Sequence, residues 1–68
     1  MPKHHDLVDV SLLLIVDKAM LKAIGCKQTE DDKDLIWLPR SQIEYAETAP
    51  GVIEVTLPMW LAHEKRLI

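Results

Sequence analysis

Two Leu-Pro steps, at residues 38–39 and 57–58, each close a short apolar segment, "LIWLP" and "VIEVTLP". Proline has no N–H to donate, so a strand that reaches it must leave its ladder there. The two steps therefore divide the chain into short strands and turns and exclude a long continuous helix over either segment. A tryptophan lies close to each proline, Trp37 before Pro39 and Trp60 after Pro58. In a chain without phenylalanine, these indoles are expected to roof the ends of a small core and to supply much of its buried area.

The remaining pattern agrees with a sheet. Val8, Val10, Leu12, Leu14 and Val16 alternate with Leu7, Asp9, Ser11, Leu13, Ile15 and Asp17, which predicts a strand whose second face turns apolar near its end. "PRSQ" suits one tight helical turn, after which Ile43, Tyr45 and Glu47 alternate with Glu44, Ala46 and Thr48. Ser41 and Glu44 also fit a capping box, so a brief helix closed by Pro50-Gly51 competes with that strand. "APGV" puts proline and glycine at the second and third positions of a type II turn. It joins residues 43–48 to a strand with Ile53, Val55 and Leu57 inward and Glu54 and Thr56 outward. Pro58 then suits the first turn of a C-terminal helix, on which Trp60, Leu61, Leu67 and Ile68 share one side.

"DKAMLKAIG" (residues 17–25) admits two readings. Asp17 caps a helix ending at Gly25, or the segment is the return strand of a hairpin turning at Asp17-Lys18. Residues 26–34, "CKQTEDDKD", read as an exposed polar loop, and residues 1–6 as a tail.

Sixty-eight residues make a single domain. Folding at this length hides only about 60% of the unfolded chain's surface, so association with a copy of itself or a partner is favoured. A lone cysteine, Cys26, closes no internal disulfide, and "LLLIV" is too short to span a bilayer. A cytoplasmic setting in the host cell is expected. Eight Lys and Arg against eleven Asp and Glu give a net charge of −3, which opposes non-specific attraction to nucleic acid.

The groups that carry chemistry are sparse. His4, His5 and Asp6 lack a metal-binding frame and read as part of the tail. His63 has no identified nucleophile to serve, Cys26 has no histidine beside it, and Ser41 lacks a nucleophile elbow. With only Gly25 and Gly51, no phosphate-binding loop forms. No enzyme activity, metal or cofactor is expected. The acidic run Glu30, Asp31, Asp32 and Asp34 is the main charge feature; it is either a solvated loop or a patch that docks against a basic surface. Leu13, Ile15 and Met20, on the outer face of the first hairpin, form a candidate oligomer interface unless the C-terminal helix covers them.

"WLPRSQI" (residues 37–43) and "PMWLAHEKRLI" (residues 58–68), with "DKAMLKAIG" ahead of them, resemble small proteins of phages and prophages over residues 8–68. The resemblance favours the strand reading of residues 17–25 and brings no catalytic residue. The acidic loop and "SLLLIV" are where this chain departs from the pattern. Small acidic phage proteins include inhibitors of host defence such as anti-CRISPR proteins. The expected molecule is an α+β domain: a curved, barrel-like antiparallel sheet of four or five short strands with one C-terminal helix. Trp37, Pro39, Pro58 and Trp60 are its structural residues. Its expected role is non-enzymatic, by contact with a host protein or complex that offers a basic surface. The alternative is an accessory of phage replication or recombination that touches nucleic acid through Lys18, Lys22, Lys65 and Arg66 beside Trp37 or Tyr45.

Overall fold

The computed structural model describes residues 6–68; His4, His5 and the rest of residues 1–5 lie outside the described residues. The elements run β1 (Leu7–Val16), β2 (Ala23–Lys27), β3 (Ile36–Pro39), a 3-10 turn (Arg40–Gln42), β4 (Glu44–Ala49), β5 (Val52–Pro58) and α1 (Met59–Glu64). All five strands form one antiparallel sheet in the order β3-β2-β1-β5-β4. The molecule is thus a small α+β fold with a single C-terminal helix.

The long first strand is the axis of the sheet. Its first part, from Leu7 to Leu13, pairs with β5, and its last part, from Leu13 to Val16, pairs with β2 across an irregularity between Leu14 and Val16. Leu13 alone faces both neighbours, Lys27 on one side and Val52 on the other.

The connection from β3 to β4 bends this sheet. Laid flat, its two edges would stand about 19 Å apart, four strand spacings. Only residues 40–43 lie between those edge strands, and three of them form a compact 3-10 turn. The edges must therefore curl toward one another, and Leu38 of β3 and Ile43 beside β4 indeed share one core. Curling stops short of closure, because β3 pairs with β2 only and β4 with β5 only. The sheet is open, not the barrel-like sheet expected.

Leu12, Ile24, Cys26, Leu38, Ile43, Ile53, Val55, Leu57, Leu61 and Ala62 form the core on the inner face. Each fully buried Leu or Ile contributes roughly 2 kcal/mol, so Leu57→Ala would remove roughly 2–5 kcal/mol from a domain with little to spare. No aromatic ring enters this set, which corrects the expectation that indoles roof the core. Trp37 pairs with Gly25 on the outer face and is 43% exposed, and Trp60 on α1 is 55% exposed. The aliphatic side chains fill the small inner volume with Tyr45 packed at its border, and both indoles stay outside.

The helix is shorter than its apolar spacing implied. It ends at Glu64, and the chain reverses through Arg66, whose φ of 60° lies in the left-handed region. The Arg66 N–H donates to the His63 carbonyl at 3.0 Å and the Leu67 N–H to the Ala62 carbonyl at 2.8 Å, which together form a Schellman motif. Leu67 folds back on the core, whereas Ile68 stays exposed. Pro58 occupies the N-cap rather than the first turn. The first helical N–H, from Met59, donates to the Asp6 carbonyl at 2.9 Å.

Residues 17–22 are a turn, and the return strand starts only at Ala23. The strand reading of residues 17–25 therefore holds in type but not in extent. Cys26 and Lys27 belong to β2, so the polar loop begins after them.

Candidate interaction surfaces

Asp32 gives the β2–β3 loop its shape. One of its carboxylate oxygens accepts the N–H groups of Gln28 at 3.0 Å and Thr29 at 3.2 Å, and its own N–H donates to the Thr29 carbonyl at 3.2 Å. An acid that caps its own turn has less capacity for an outside cation. Glu30, Asp31 and Asp34 are exposed, and among the described residues they take part in no ion pair. The expected four-residue acidic patch thus divides into one residue that holds the loop and three that face solvent.

The outer face of the sheet is apolar in one half and polar in the other. Leu13, Val52, Gly25 and Trp37 share it by register, with Leu35 beside Trp37 and Lys27 directly across from Leu13. The indole of Trp37 lies across Gly25: a Cβ at that position would stand 3.2 Å from the ring and 3.2 Å from Leu35 Cδ1. The polar half carries Ser11 opposite Glu54 and Asp9 opposite Thr56, and the Thr56 hydroxyl donates to Asp9 Oδ1 at 2.5 Å. Because α1 packs on the inner face through Leu61 and Ala62, it does not cover Leu13 or Ile15. Met20, at 86% exposure, lies in the β1–β2 turn and so is not part of a strand face.

A polar cluster that sequence reading missed joins the ends of the curled sheet. The Arg40 Nε donates to the Leu21 carbonyl at 2.8 Å and its Nη1 to the Tyr45 hydroxyl at 2.8 Å, while Nη2 donates to the Lys18 carbonyl at 2.9 Å and pairs with Asp17. The Tyr45 hydroxyl in turn donates to Asp17 Oδ2 at 3.0 Å. Asp17, chiefly through its hydrogen bond, raises the Arg40 pKa above its ordinary value. Asp17 lies 23 positions from Arg40 and 28 from Tyr45, and no local motif links it to them.

Cys26 is fully buried in β2, His63 is exposed on α1, and among the described residues no group of three His, Cys, Asp or Glu side chains is placed to hold a metal ion. A shallow hollow beside Leu7, Ser41, Gln42, Ile43, Glu44 and Thr56 has room for ≈ 180 Å³, below the roughly 300 Å³ at which small-molecule sites begin. No helix among the described residues is long and apolar enough to cross a membrane. No family model, no curated protein and no solved structure matches this chain.

Proposed function

We propose that the chain is a non-enzymatic accessory protein of phage type that inhibits a host defence complex by covering a basic surface. The contact is made by the β2–β3 loop. Its support is the exposed, unpaired trio Glu30, Asp31 and Asp34 on a loop that Asp32 holds in shape. A shaped loop loses less freedom on docking than a slack one, and concentrated negative charge steers a basic partner into encounter. The nucleic-acid alternative draws less support. The Tyr45 hydroxyl is engaged by Arg40 and Asp17, and Lys65 and Arg66 follow a helix packed on the sheet face opposite Trp37.

The test is a titration of the protein with its captured host partner from low salt to about 1 M, where the screening length falls to about 3 Å. Affinity should fall steeply with salt, and charge reversal at Glu30, Asp31 and Asp34 should weaken it further. Binding indifferent to both would overturn this reading.

A further inference from the structure

We propose that the outer sheet face is a self-complementary surface on which a second copy of this chain docks, related by a two-fold axis. This goes beyond the acidic-loop reading and uses different residues. The face carries charges of both signs on either side of β1. Lys27 is one strand away from Leu13 on β2, and Glu54 is one strand away on β5, beside Ser11. By strand spacing the two lie about 10 Å apart across the sheet and about 7 Å apart along it. A two-fold axis lying along the contact plane, perpendicular to the line between them and crossing β1 midway between Leu13 and Ser11, exchanges their positions.

Two copies apposed about that axis bring Lys27 of each protomer over Glu54 of the other, so one kind of ion pair forms twice. An isologous contact requires this reciprocity. The same operation sets Leu13 close to Val52 of the second copy, on the central strands, where two outward-curving faces can touch. Apolar contact thus lies near the axis with charge flanking it. Asp9, the outer-face acid of β1, is occupied by the Thr56 hydroxyl, whereas Glu54 on β5 is exposed and takes part in no ion pair among the described residues. A second copy is preferred over an unrelated partner because both members of the complementary pair are already on this face.

The experiment is sedimentation equilibrium of the full chain over a wide concentration range, with four variants: K27E, E54K, K27E/E54K and L13D. Wild type should show a concentration-dependent mass approaching that of a dimer. Each single reversal places like charges together twice and should raise the dissociation constant about tenfold or more, from two surface pairs lost and replaced by repulsion. The double reversal should restore it to near the wild-type value, which a variant that merely misfolds cannot do. L13D should abolish the dimer while circular dichroism still reports the sheet. A mass that stays monomeric at every concentration overturns the proposal and leaves the face to a different partner. A dimer indifferent to all four variants overturns it too, by placing the contact elsewhere, such as around Leu7 and Trp60.

Discussion

The hydroxyl of Tyr45 on β4 donates to the carboxylate of Asp17 at 3.0 Å, across 28 positions of sequence. Arg40, in the turn that links the two edges of the sheet, bonds to both. One side-chain cluster thereby holds the sheet in its curled state.

Tyr45→Phe keeps the ring and removes both of its hydrogen bonds. The variant should lose about 1 kcal/mol in a urea melt, and the loss should shrink in an Arg40→Met background because the residues act as a unit. Strict additivity of the two substitutions would show that the cluster has no cooperative role.

Burial first, and the Asp17 charge second, push the Cys26 thiol from an ordinary 9.0 up to about 11. The unfolded chain then gives up this proton at lower pH than the folded one. The contribution is fully present below pH 9 and is lost as pH rises through 11. Melts at paired pH values should show this decline beyond that of Cys26→Ala, and the native thiol should resist alkylation near neutral pH. Rapid native labelling would contradict the burial.

Gly51 carries the positive φ of 78° that the Pro50-Gly51 turn requires, and no atom lies within 4 Å of where a Cβ would stand. Gly51→Ala should therefore cost about 1 kcal/mol from backbone strain alone. Gly51→Asn should recover part of it, as read by thermal denaturation.

Arg66 occupies the left-handed position of the Schellman motif without being glycine. Arg66→Gly should raise stability by about 1 kcal/mol, because relief of that strain exceeds the added freedom of the unfolded chain. A lower midpoint would mean that the arginine side chain contributes more than its backbone strain costs.

Gly25→Ala should crowd the indole of Trp37 and Leu35 Cδ1, each 3.2 Å from the added methyl. In a Trp60→Phe background the remaining fluorescence should shift to longer wavelength as the ring is displaced into water. An unchanged spectrum would mean that the ring does not rest on β2.

Strand boundaries proved legible wherever proline or glycine terminates pairing. The ends of β3 and β5, the 3-10 turn and the hairpin at Gly51 all follow from the backbone chemistry of one or two residues. The inward set Ile53, Val55 and Leu57 follows from alternation. Residues 17–22 were harder to place because their turn is held by Arg40, distant in sequence. The exposure of both indoles was missed for a different reason. Alternation separated Trp37 from Leu38 but carries no information about which face is inside, and aliphatic volume decided that. The acidic residues of the loop were visible in the sequence, whereas the division of labour between Asp32 and its neighbours depends on which carboxylate meets the backbone amides.

The central strand β1 has one neighbour close to it in sequence and one distant, Leu14 facing Cys26 and Leu7 facing Pro58. During synthesis it leaves the ribosome before β5 and waits for the segment between them to be made. Until then the edge of residues 7–13 that β5 comes to cover stays bare, so a holdase would have its best opportunity there.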